Sequence, residues 1–131
     1  MNKDIPKPEV KNVTVVISPE RDNEFWSVHI VNINDFPVTS VLVASTGYAE
    51  KGPDREKTST IRHSFDEIGA KSSVHVELID PKVFHLFNEY SVTYYIDKDI
   101  YYKKFLFVPD SIINENLSHN AILDAEVVEH S

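Results

Sequence analysis

The segment that decides the fold is residues 90–108, which read YSVTYYIDKDIYYKKFLFV. Its first part places β-branched or aromatic residues at every second position: Tyr90, Val92, Tyr94 and Ile96. This period of two predicts a β-strand. The residues that follow, 97–99, predict a tight turn, because Asp side chains hydrogen-bond their local backbone. Residues 100–108 then predict a second strand that ends before Pro109, so the segment is expected to form a β-hairpin.

Five runs upstream of this hairpin show the same β-type composition, most clearly where Val74, Val76 and Leu78 alternate with polar residues. The runs cover residues 13–17, 26–30, 41–43, 58–65 and 74–78, and Asn, Asp and Pro residues separate them. Seven strands in about a hundred residues are typical of a β-sandwich. We therefore predict an all-β protein with an immunoglobulin-like or fibronectin type III-like sandwich.

One short helix is expected between the fifth and the sixth of these strands, after residue 79. Asp80 suits the N-cap position and Pro81 the first helical position. Such a segment commonly carries the chain from one sheet of a sandwich to the other. Tyr90 follows it, at the place where a tyrosine corner would hydrogen-bond upstream backbone.

The length of 131 residues suits a single domain. We divide it into a flexible N-terminus over 1–8, the sandwich over 9–109 and an acidic C-terminal extension over 110–131. The extension carries five acidic residues and no Lys or Arg, and thus −5 of the net charge of −8. Apolar residues interrupt it, which a purely solvating acidic tail would not need.

Composition argues against several classes of function. An acidic chain with three Arg residues is poorly suited to binding nucleic acid phosphates. The sequence has no Cys, which excludes disulfides, thiolate metal sites and cysteine nucleophiles. It has no run of 18 apolar residues and no apolar stretch after the first lysines, so we expect no membrane contact and a cytoplasmic location.

The sequence offers no motif for catalysis, for a cofactor or for a metal. None of its six His residues lies two, three or four positions from another, the spacings that place two ligands on one face of a strand or helix. His63 and Ser64 are adjacent, so in a strand they point to opposite faces and could not form a triad with a nearby acid. A metal site assembled from His29, His63 and His75 on separate strands stays an alternative.

The last predicted strand is apolar on both faces. Ile100, Tyr102 and Leu106 share one face, and Tyr101, Phe105 and Phe107 share the other. A sheet with one wet face should not have this pattern, so we expect the extension, a second copy or another protein to cover the second face. Half-exposed surface rings are the alternative.

We predict a set of interaction residues from this pattern. It comprises Tyr95, Tyr101, Tyr102 and Phe105, with Ile122 and Leu123 of the extension as covering groups. The three tyrosines with Lys103 could instead stack on sugars or bases, although nothing else basic supports nucleic acid binding.

Four blocks resemble a family of short bacterial proteins that often carry the name phenylalanyl-tRNA synthetase subunit, alpha or beta. The blocks are residues 57–63, 70–72, 103–107 and 112–114, and the resemblance covers roughly residues 8–128. A synthetase catalytic core needs an ATP site, clamping arginines and several hundred residues, which this chain does not supply. The resemblance therefore implies at most an accessory component beside such an enzyme.

The function predicted from the sequence is a non-enzymatic interaction or structural module with an unidentified protein partner. A homo-oligomer formed through the last strand and the extension is one form of it. The alternative is the accessory role that the resemblance implies.

Overall fold

A computed structural model describes residues 12–21, 24–49 and 56–130 of the chain, so the expected flexible segment 1–8 lies outside the described residues. Within these ranges, nine β-strands form two antiparallel sheets that pack against each other. They are β1 (Val13–Pro19), β2 (Trp26–Asn32), β3 (Val38–Tyr48), β4 (Ile61–Ile68), β5 (Ser72–Ile79), β6 (Phe87–Ile96), β7 (Asp99–Phe107), β8 (Ser118–Asn120) and β9 (Ala125–Glu129). The predicted all-β sandwich is confirmed.

The seven predicted strands correspond to β1 through β7. The first sheet has the order β5-β2-β1-β9-β8, and the second has the order β4-β3-β6-β7. The strands divide between the two sheets as they do in immunoglobulin-type sandwiches, with β1, β2 and β5 in one sheet and β3, β6 and β7 in the other. Strand β4 extends the second sheet beside β3, as the additional strand of a variable-type domain does.

The connections predicted from Asp and Pro residues are confirmed. Residues Pro81–Val83 form a 3₁₀ turn that carries the chain from β5 in the first sheet to β6 in the second. The Asp80 carboxylate caps this turn by accepting a hydrogen bond of 3.0 Å from the Lys82 amide. At the other end of β6, Ile96 pairs with Asp99, so Asp97 and Lys98 form the two-residue turn of the β6–β7 hairpin. None of the described helices is long and apolar enough to cross a membrane.

The C-terminal extension adds two strands to the first sheet. Strand β9 pairs with β1 through Val16↔Glu129 and Ile17↔Val128, and β8 pairs with β9 on the other side. Ile112 and Val128 are buried in the main core. The His130 ring packs edge-on against Phe105 of β7, with 4.6 Å between ring centroids. The extension therefore joins the first sheet to the last strand of the second.

Ile122 and Leu123 lie far from the strand they were predicted to cover. They pack on the outer side of the first sheet, against a small cluster of Val16, Val31 and Val127. The prediction that they cover β7 is wrong, because the β8–β9 hairpin pairs with β1 and its turn lies over the outward side chains of that strand.

A β-bulge changes the direction of the side chains in β5. His75 pairs with His29, but the next pair is Glu77 with Val28, so the register shifts by one residue at this point. Val76 is therefore an extra residue of β5 without a partner of its own in β2. Beyond it, Leu78 turns outward and is 55% exposed. The predicted alternation fails at Leu78 for this reason. The same shift turns the Glu77 carboxylate into the sandwich.

Candidate functional site

The Glu77 carboxylate lies between the two sheets, where the edge strands β4 and β5 approach each other. Its side chain is only 15% exposed. Oε1 accepts a hydrogen bond of 3.1 Å from the Ser45 hydroxyl and lies 2.8 Å from Nε2 of His63. Oε2 accepts a hydrogen bond of 3.1 Å from the Tyr90 hydroxyl. Strands β3, β4 and β6 of the second sheet thus supply three partners to one carboxylate of the first.

Each partner has a defined role in this cluster. A carboxylate only accepts hydrogen bonds, so Nε2 of His63 must carry the proton of its ring. His63 points inward, whereas the adjacent Ser64 is exposed, which confirms that the two point to opposite faces. Tyr90 is not a tyrosine corner, because its hydroxyl donates to a side chain of the facing sheet and not to upstream backbone.

Two buried tyrosines in β6 strongly prefer the protonated form. Burial, then the charge of Glu77 and the hydrogen bond to it, raises the pKa of Tyr90 well above its usual value near 10. Burial, with a smaller effect from the neighbouring Tyr101, raises the pKa of Tyr94 to about 12. Tyr90 therefore remains a hydrogen-bond donor to Glu77 at neutral pH.

Stability should fall at alkaline pH because of these tyrosines. The native state holds their protons more tightly than the unfolded chain, so the stabilisation is complete below pH 10 and is lost as the pH rises towards about 12. For Tyr94 we expect a loss of no more than about 2 kcal/mol, after allowance for solvent screening at the ring's hydroxyl end. Urea unfolding between pH 9 and pH 11 measures it, and Tyr94→Phe should flatten the decline. An equally steep decline in that variant would contradict the assignment.

The structure resolves which face of β7 is buried. Phe105 and Phe107 point into the core and are fully buried, and Tyr101 is half-buried and stacks on Tyr94 at 5.7 Å between ring centroids. Phe105 is therefore not available to a partner, contrary to its prediction as a contact residue. Ile100 and Tyr102 point outward and are 53% and 62% exposed.

The outward apolar residues form one continuous surface. Leu42 of β3, 56% exposed, pairs with Thr93 of β6, which pairs in turn with Tyr102 of β7. In the neighbouring row Tyr95 pairs with Ile100. We call these four apolar residues the outer-face patch: Leu42, Tyr95, Ile100 and Tyr102. Of the residues predicted for interaction, Tyr95 and Tyr102 lie in it, and Tyr101 and Phe105 lie on the other side of the sheet.

The three histidines considered as ligands of an alternative metal site lie in two different places. His29 and His75 are cross-strand neighbours on the outer face of the first sheet, with 5.3 Å between ring centroids, whereas His63 lies between the sheets. Burial, and then the neighbouring His75, lowers the pKa of His29. Among the residues that the structure describes, no three His, Cys, Asp or Glu side chains lie together in a way that could hold a metal ion.

Comparisons with protein-family models, with curated proteins and with solved structures find no match. The resemblance to proteins named as phenylalanyl-tRNA synthetase subunits therefore stays a prediction, and so does the accessory role that it implies.

No pattern in the sequence predicts the Glu77 cluster. In an alternating strand, a Glu between Val76 and Leu78 is expected to face solvent. Only the bulge brings it inward, and the sequence does not reveal the bulge, because Val76 and Leu78 keep the two-residue spacing of a regular strand. The outer-face patch was easier to find, because the two-faced apolarity of β7 is visible in the sequence.

Proposed function

We propose that the protein is a non-enzymatic protein-interaction module that associates through the outer-face patch, and that a second copy of the chain is its partner. The observation that carries this proposal is the position of Leu42 and Tyr102 in one cross-strand row, on either side of Thr93, with Ile100 in the next row; each of the three apolar residues is more than half exposed. Single exposed apolar residues are ordinary on protein surfaces, but a continuous group of them is typical of an interaction site.

The chemistry of the outer-face patch suits an interface. Tyr102 offers a large rigid ring with a polar end, and aromatic residues of this kind are enriched where proteins meet. Its hydroxyl donates a hydrogen bond of 3.3 Å to Ser91, which holds the ring across the sheet surface. Two residues of the patch belong to β7, an edge strand of its sheet, and edge strands are where a further strand can pair.

Charge also favours this face for contact between two copies. The chain carries a net charge of −8, so two copies repel each other over most orientations. The rows in and near the patch carry two cations, Arg62 and Lys104, and two anions, Glu67 and Glu89, so their charges cancel. Lys104 and Glu89 form an ion pair of 3.7 Å. The repulsion between two copies is therefore weaker at this face than the net charge of the chain implies.

Replacing both residues of the patch in β7, Ile100→Ser with Tyr102→Ser, should weaken self-association by at least about tenfold, since interface aromatics commonly contribute more than 1 kcal/mol each. Sedimentation equilibrium measures the dissociation constant. Leu78→Ser is the matched control, because Leu78 is exposed to a similar degree on the outer face of the other sheet. An equal loss in both proteins, or no loss in the double variant, would contradict the proposed surface.

We propose the cytoplasm as the compartment of this module, as predicted from the sequence. Cell fractionation of the native protein would test it.

A further inference from the structure

A cavity of about 200 Å³ lies beside the Glu77 cluster, between the edges of β4 and β5. Its polar lining includes Glu77, Tyr90 and Asn88, and its apolar lining includes Ile61, Ile79 and Val83. The volume equals that of about seven water molecules, which is enough for a short-chain ligand. The cavity is separate from the outer-face patch, which lies on the other side of the second sheet.

Gly47 keeps part of this cavity open. A Cβ atom at this position would lie 3.2 Å from Oδ1 of Asn88 and 3.2 Å from Cγ2 of Thr58. Both distances are tighter than ordinary van der Waals contact, so any larger residue would press on the cavity lining. The absence of a side chain at Gly47 therefore leaves room directly in front of the Asn88 amide oxygen.

Four side-chain donors around the cavity are already in use. The Ser45 and Tyr90 hydroxyls donate to Glu77. Nδ2 of Asn88 donates to the backbone oxygens of Val83 and Leu86 at 3.0 and 3.2 Å. The Thr58 hydroxyl donates to the backbone oxygen of Ser59 at 3.1 Å. An anionic ligand would therefore find none of these donors free.

Two side chains of the cavity lining can still accept a hydrogen bond. Asn88 is buried, 5% exposed, and its Oδ1 accepts no hydrogen bond from the described residues. A carboxylate has about four acceptor positions, and the three hydrogen bonds to Glu77 leave one of them on Oε2. The cavity thus combines a negative charge and an unused amide oxygen with an aliphatic wall.

We propose that this cavity binds the alkylammonium group of a small organic amine. A primary ammonium carries N–H donors and no acceptor, which suits a lining whose open polar atoms, on Glu77 and Asn88, are both acceptors. The short alkyl chain would pack against Ile61, Ile79 and Val83. The site is independent of the association between copies, because it lies on no part of the outer-face patch.

The test is an NMR titration of the full chain with n-butylammonium at pH 8.5, where an ordinary imidazole is neutral and the amine is charged. 1-Butanol and butyrate, of similar size but neutral or negative, are the matched ligands. We expect saturable shifts at the Gly47 and Asn88 amides with butylammonium, and binding at least about tenfold weaker with the other two, since hydrogen bonds to charged groups contribute more than 1.4 kcal/mol. Equal binding of all three, or no saturable shift with the amine, would overturn the proposal.

Variants test the location of the site. Glu77→Gln keeps the shape of the side chain and removes its charge, and we expect it to weaken butylammonium binding at least about tenfold. Glu67→Gln makes the same change at an exposed position of the neighbouring strand and should leave the affinity unchanged. Gly47→Ala should weaken binding by filling the cavity. If Glu77→Gln does not fold, the comparison of the three ligands on the unmodified chain still decides the question.

Discussion

A chain that ends at Asp110 will not hold the native sandwich. The truncation removes three buried apolar residues, Ile112, Val127 and Val128, and burial of each contributes about 1.5–3 kcal/mol. The sum is similar to the whole stability of a small domain, about 5–15 kcal/mol. It also removes His130 from the ring of Phe105 and leaves one edge of β1 without its partner β9. We expect loss of the near-ultraviolet circular dichroism signal and of cooperative urea unfolding.

A charge control separates the apolar contribution of the extension from its acidity. Asp124→Asn with Glu126→Gln removes two exposed charges that lie 3.6 Å from the His119 ring. Exposed ion pairs contribute little to stability, so the free energy of unfolding of this variant should lie within about 1 kcal/mol of that of the original chain. A truncated chain that unfolds cooperatively at the original urea midpoint would show that the extension is not part of the core.

Phe105→Ala should strongly destabilise the sandwich. The ring is fully buried between the sheets, and Phe→Ala changes in protein cores cost about 3–5 kcal/mol. Tyr102→Ala, three residues away on the outward face, should change the free energy of unfolding by no more than about 0.5 kcal/mol. Urea unfolding of both variants measures the difference. Equal losses of stability would contradict the assignment of the two faces.

The regular parts of the fold could be predicted because they follow simple periodicity. Alternation located β1, β2, β6 and β7, and Asp97 marked the turn between the last two. The two faces of β7 are both apolar, so alternation alone could not decide that Phe105 points inward and Tyr102 outward. That choice depends on which face the other sheet covers.

The remaining features depend on tertiary structure. Strands β8 and β9 have three and five residues, and their pairing with β1 leaves no distinct pattern in a mostly acidic segment. The bulge in β5 cannot be seen in the sequence, because Val76 and Leu78 keep the two-residue spacing of a regular strand while the pairing register with β2 shifts by one residue. The Glu77 cluster is a consequence of that shift. The apolar character of residues 100–102 is clear in the sequence, whereas the position of Leu42 in the outer-face patch depends on the pairing of β3 with β6.

Light scattering of the unmodified full-length chain over a range of concentrations decides whether the outer-face patch is an interface between copies. A single chain has a mass of 15.0 kDa. If two copies associate through Leu42, Ile100 and Tyr102, the weight-average mass will rise with concentration towards twice that value, and it will fall back in the Ile100→Ser, Tyr102→Ser double variant. A mass that stays at 15.0 kDa at every concentration would contradict the proposed function.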